Sequence, residues 1–186
     1  MGLRYIVIAC LMLAGCSSLS YKEPVSGERA RVRFASQSSN LVVIRAYDDA
    51  SCSANEQEWM RLRSAALVNS SPKRMGLPLW RFHDNGAKEL YVDATKPFHG
   101  LISSSDSEPR GLVNTVYSCG VPVTFQFKAD SDYEVEFVWD RQICKVLVNQ
   151  ISGAAGAETL THLATFTNRP SGENAQCLEA FRRRLY

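Results

Sequence analysis

Val121-Pro-Val-Thr-Phe-Gln-Phe127, followed by Asp130-Ser-Asp132 and Tyr133-Glu-Val-Glu-Phe-Val-Trp139, is the stretch that decides the fold. Val121, Val123, Phe125 and Phe127 fall on one side; Pro122, Thr124, Gln126 and Lys128 fall on the other. A period of two marks a strand with one buried face. Asp130-Ser131-Asp132 has turn chemistry. Beyond it Tyr133, Val135, Phe137 and Trp139 alternate with Glu134, Glu136 and Val138, which makes Trp139 a core residue. Asp140-Arg141 reads as a second turn, and Ile143 to Ile151 runs back. The three segments predict an antiparallel meander.

The same pattern extends outward. Thr159 to Thr167 reads as a further strand after Gly153 and Gly156. Near the N-terminus, Ala30, Val32 and Phe34 alternate with Arg29, Arg31 and Arg33, and Asn40 to Tyr47 contains the apolar run Leu-Val-Val-Ile. Lys88 to Asp93 and Phe98 to Ser103 read as short strands around Pro97, and Ser103 to Gly111 as a polar loop. Asn55 to Leu67 fits two periods. Trp59, Leu62 and Ala66 have helical spacing, while Met60 and Leu62 alternate with Arg61 and Arg63. Asn69 to Pro78 and Asp84-Asn85-Gly86 read as loop and turn. Asn174 to Leu185 is helical: Leu178, Phe181 and Leu185 share a face, and Arg182-Arg183-Arg184 sits where the helix dipole favours cations. Seven or eight short strands with regular turns predict a mostly β protein. It would be a single antiparallel β-sandwich, Ig-like or similar, with a short C-terminal helix.

Composition agrees with one globular domain. Apolar residues make up 45% and charged residues 22% of 186, both ordinary values. A net charge of +2 argues against a nucleic-acid partner, which needs a basic surface.

The N-terminus carries a different signal. Arg4 precedes the apolar run Tyr5 to Leu13, and the small residues Ala14-Gly15 precede Cys16. The run is too short to span a bilayer, which takes about 20 apolar residues, and it has the layout of a secretory signal. Leu13-Ala14-Gly15-Cys16 resembles the lipobox of bacterial lipoproteins. That resemblance implies a thioether to diacylglycerol at Cys16, cleavage before it, and acylation of the new amine. It also implies, from Ser17 in place of an Asp, an outer-membrane location, facing the periplasm or the surface, the periplasmic face being preferred. The expected layout is a signal peptide at 1–15, a lipidated tether at 16–27 and the β-sandwich at 28–186, with the membrane as one partner through Cys16. Several acyl chains make such anchoring stable, at about 0.8 kcal/mol per buried CH₂.

Removing Cys10 with the signal and Cys16 to lipid leaves Cys52, Cys119, Cys144 and Cys177. An even number in an oxidising compartment implies disulfides. Of three pairings, Cys52–Cys119 and Cys144–Cys177 are expected. The first would tie an early strand to a later one, and the second would staple the C-terminal segment to the sheet. No C-x-x-C or Cys/His spacing suggests a metal, and no cofactor is expected.

Few residues invite chemistry. His83, next to Asp84, and His99, before Ser103-Ser104-Ser105-Asp106, are the histidines a hydrolase would use. Neither lies in a catalytic motif. Asp48, Asp49, Asn55 and Glu56 have the oxygen density of a Ca²⁺ loop but the composition of a turn. Arg29, Arg31 and Arg33 form a basic face for headgroups or an acidic polymer. Trp59, Trp80 and Trp139 could include a ligand-stacking residue; Trp80, between Pro78 and the Asp84-Asn85-Gly86 turn, is the candidate recognition residue among them. The leading expectation is a non-enzymatic envelope lipoprotein that binds or scaffolds a protein or cell-wall partner. The alternatives are an envelope hydrolase using His83 or His99 and, by analogy alone, a lipoprotein component of a secretion apparatus.

Overall fold

The computed structural model describes residues 21–63, 74–79, 81–82, 86–111, 113–140, 142–154 and 157–184. Cys16, Trp80 and His83 lie outside them. Among the described residues nine strands form two sheets. One has the order β4 (Ala87–Asp93), β1 (Arg29–Ser36), β7 (Asp132–Trp139), β8 (Cys144–Ser152), β9 (Thr159–Thr167). The other has the order β3 (Gln57–Leu62), β2 (Val42–Tyr47), β5 (Phe98–Arg110), β6 (Val113–Phe125). A helix, α1 (Glu173–Arg183), follows β9. This is the β-sandwich with a short C-terminal helix that the alternation predicted. No helix among the described residues is long and apolar enough to cross a membrane.

The core lies between the sheets and is filled by the alternating residues. Ala30, Val32 and Phe34 of β1 meet Ile44 of β2, Ile102 of β5 and Val121 of β6. Trp139 is only half-buried, at the margin of this core. The expected meander needs correcting in its first strand. β6 belongs to the opposite sheet, so Val121 and Val123 face Tyr133, Val135 and Phe137 across the core instead of lying beside them. The connection between them carries Phe127 through the core, and Tyr133 Oη accepts from the Lys128 N–H at 3.1 Å. The meander is β7-β8-β9. One pairing is parallel, β1 with β7, because both strands start from the same end of the sandwich. The expected polar loop at Ser103–Gly111 is strand as far as Arg110, in register with β6 along 13 residues of each. Gly111, at φ +64°, takes the left-handed conformation that a two-residue hairpin turn demands.

The expected disulfides are replaced by Cys52–Cys177 and Cys119–Cys144. Cys119 points inward from β6 to the start of β8. It pairs in register with Ser104, at the opposite end of the sheet from the Tyr47 end that leads to Cys52. Cys52 lies instead under α1, which covers the outer face of the second sheet. There Tyr47, Cys52, Leu101 and Cys177 form a second small core with Phe181 against it.

The helix approaches closely because β6 has Gly120 beneath it. A Cβ at Gly120 would stand 2.5 Å from the Phe181 ring. Gly120→Ala is therefore expected to lose about 1–3 kcal/mol by overpacking. Adding Phe181→Ala should recover part of the clash term in urea denaturation. Additive losses in the double variant would contradict this contact.

The basic face of β1 also needs correction. Arg29, Arg31 and Arg33 do share one side, but that side is not open. Arg33 is fully buried, with Glu89 and Glu134. Arg31 grips Asp132 with two hydrogen bonds of 2.7 and 2.6 Å. Arg29 lies over the Tyr91 ring at 3.7 Å and donates to the Pro24 carbonyl. Leu77, Pro78 and Leu79 cover Arg33 with their carbonyls, which leaves no continuous basic strip for an acidic polymer among the described residues.

Candidate functional site

The site is built around Trp59. Between Ile44 and Arg45 of β2 the register with β3 slips: Ile44 faces Met60 and Arg45 faces Glu58. Trp59 is thus the extra residue of a β-bulge. In a regular strand Trp59 and Met60 would point to opposite faces. The bulge lets both join the core cluster, re-aiming a side chain as bulges near functional sites do. The indole lies 4.9 Å from Phe98 and 6.2 Å edge-on from Phe34.

Its outer face is covered by the N-terminal segment. The Tyr21 ring stacks on Trp59 with centroids 3.9 Å apart and planes at 27°. Tyr21 Oη donates to the Tyr91 carbonyl at 3.1 Å, and the Tyr91 N–H donates to Glu23. Residues 21–24, expected within the tether at 16–27, are therefore packed on the domain. Burial pushes the Tyr21 phenol well above the usual tyrosine range. Burial, with the Glu56 charge nearby, pushes Tyr47 up to about 12.

Beside this stack opens a pocket of about 230 Å³. Ala46, Val92 and Phe98 form its apolar base, and Tyr21 and Trp59 stand as aromatic walls. Its rim carries Lys22, Asp48, Asn55, Gln57, Asp93 and Lys96. The Trp59 indole N–H is buried and meets no acceptor among the described residues. Such a donor costs about 1–3 kcal/mol and calls for an explanation.

The residues singled out in the sequence distribute unevenly about this pocket. His99 lines it, but its Nδ1 is 3.2 Å from Thr124 Oγ1, which donates to Asn174 Oδ1 at 3.0 Å. That chain ties β5, β6 and α1 together and contains no carboxylate. His162 contacts Asn149 and Thr165 on the β9 edge. Asp49 is committed to its own turn: it accepts from the Ser53 and Ala54 N–H groups and from the Ser51 and Ser53 hydroxyls. Those hydroxyls hold its carboxyl well below the usual range. Asp48 accepts from Asn55. Among the described residues no group of three or more His, Cys, Asp or Glu gathers as a metal site.

The sequence offers Trp59 only as one of three tryptophans that could stack on a ligand, behind Trp80, and gives Tyr21 no role in a site. The available signal was the conflict of periods at 55–67, where adjacent apolar Trp59 and Met60 fit no single regular element. No family model matches the chain, and no curated protein and no solved structure is significantly similar to it.

Proposed function

We propose that this chain is a lipid-anchored envelope protein of the outer membrane, facing the periplasm. In this reading it acts without catalysis, as a module that binds a cell-wall or protein partner through the Trp59 pocket. The observation that carries the proposal is the docking of residues 21–24. Tyr21 is both a wall of the pocket and the fifth residue after Cys16. Five residues span at most about 18 Å, so a lipid at Cys16 holds the pocket end of the sandwich close to the bilayer. The two disulfides support an oxidising compartment. The partners of His99, a hydroxyl and an amide, support a positioning role for it over a base.

Cys16→Ser is the direct test in a Gram-negative host. Incorporation of labelled palmitate should cease, and the chain should leave the outer-membrane fraction. Labelling that persists, or an unchanged membrane fraction, would sink the anchor. Crosslinking from a photoreactive residue at position 57 should capture a partner that is lost in Trp59→Ala.

A further inference from the structure

We infer that the Trp59 pocket takes one ring of a neutral saccharide; this rests on reading the pocket as the binding site. Three properties decide the ligand class. The first is charge. Lys22 and Lys96 on the rim are balanced by Asp48 and Asp93. A phosphate would meet two carboxylates, and a cation would meet two ammonium groups, so neither has a net attraction. The second is surface. Aromatic walls and the Ala46–Val92 base suit the apolar C–H faces of a sugar ring. The side-chain amides of Asn55 and Gln57 offer donors and acceptors for hydroxyls around its edge. A hydrocarbon chain would leave those rim groups facing carbon. The third is size. A volume of about 230 Å³ falls below the roughly 300–1,000 Å³ of drug-sized sites. It suits a single ring, with the rest of a glycan running out past the rim.

The Trp59 N–H sharpens the inference. It is buried without an acceptor among the described residues, beneath the stacked Tyr21 ring. Tyr21 belongs to the N-terminal segment and not to a strand, and its side chain is held by the stack and one hydrogen bond to the Tyr91 carbonyl, so it can shift without breaking a sheet ladder. A ligand hydroxyl or acetamido carbonyl entering as Tyr21 shifts would give that N–H its acceptor. An N-acetylated sugar supplies such a carbonyl together with a methyl group for the aromatic walls. Occupancy would then couple to the segment that leads to Cys16.

The test is calorimetry on the mature lipidated chain, in a detergent without a sugar headgroup. The probes are a β-1,4-linked N-acetylglucosamine tetramer, methyl glucoside, phenylalanine and inorganic phosphate. The tetramer should give saturable heat, with affinity falling at least tenfold in both Gln57→Ala and Trp59→Phe. Gln57→Ala, a rim change, should keep the parent thermal melting curve, and Trp59→Phe is compared at a temperature below its own melting transition. Absence of saturable heat with either saccharide overturns the inference. Phenylalanine or phosphate binding that Gln57→Ala removes also overturns the saccharide class, while leaving the pocket as the binding site. Saccharide heat unchanged in both variants overturns the site itself.

Discussion

Replacing Arg33 with methionine is expected to destabilise the domain by about 3–5 kcal/mol, the usual result of leaving buried charges without their partner. The Arg33 guanidinium is fully buried and uses every nitrogen. Nε and Nη2 donate to Glu89 Oε1 at 3.1 and 2.9 Å, and Nη1 donates to Glu134 Oε2 at 3.1 Å. Further bonds reach the carbonyls of Leu77 at 2.6 Å, Pro78 at 2.8 Å and Leu79 at 3.3 Å. Glu89 in turn accepts from the N–H groups of Met75 and Leu77. At the far side Arg81 donates to Glu134 and Glu136 at 2.6 and 2.8 Å. The segment is therefore fastened to the outer face of β4, β1 and β7 by charge, with Leu77 and Phe82 as its buried apolar contribution. Without Arg33, Glu89 and Glu134 stay buried on either side of β1, and three carbonyls lose a donor. Against a typical stability of about 5–15 kcal/mol, the loss is a large fraction of the total. Urea denaturation measures it. Proteolysis should cut within 74–82 well before global unfolding. Replacing the ions together, as Arg33→Met, Glu89→Leu and Glu134→Leu, should recover most of the stability. A single variant within about 1 kcal/mol of the parent would show that the network contributes little.

The β1 arginines show where sequence reading reaches and where it stops. Period two assigned Ala30, Val32 and Phe34 inward correctly, because alternation is a local property of one strand. It cannot say what lies over the other face. The residues around 74–82 do so in space while standing far off in sequence. The same limit explains the strands of the meander: alternation identified β6 and β7, but either side-by-side or face-to-face placement satisfies the pattern. At Ser103–Gly111 composition misled, since that strand is held by its pairing with β6 and not by burial of apolar side chains. For the candidate site, Trp59 depends on a one-residue slip that periodicity cannot express. Tyr21 depends on a contact between residues 38 apart in a stretch that otherwise reads as polar tether. Cysteine count, with an expected oxidising compartment, predicts two bridges, and two are present among the described residues. Connectivity needed the faces of the second sheet, which only the packing reveals.

The two bridges should differ in effect, and the Cys52–Cys177 bridge is expected to be the larger. It closes a separation of 125 residues, against 25 for Cys119–Cys144. Chain entropy alone then assigns about 5 kcal/mol to the first and about 3–4 to the second. Packing adds to the contrast. Cys119 lies on β6, which is held along its whole length by β5, and Cys144 opens β8, which is paired with β7 and β9, both at the main core. The helix has only 11 residues, below the roughly 12–15 at which an isolated helix becomes even marginally stable. It rests on the small cluster of Tyr47, Cys52, Leu101, Cys177 and Phe181. Its other ties include the Asn174–Thr124 hydrogen bond and the Arg184–Glu56 ion pair, the latter at a solvent-exposed edge where it contributes little. Cys52→Ala with Cys177→Ala should therefore lower stability more than Cys119→Ala with Cys144→Ala in urea denaturation. It should also release the helix locally: amides of 177–183 should exchange with solvent far faster while those of β7 and β8 stay protected. Tyr47 lies both under the helix and on the pocket, so ligand affinity should fall in the first pair of variants and hold in the second. Equal losses for the two pairs, with unchanged helix protection, would mean that side-chain packing and not the bridge holds the helix to the sheet.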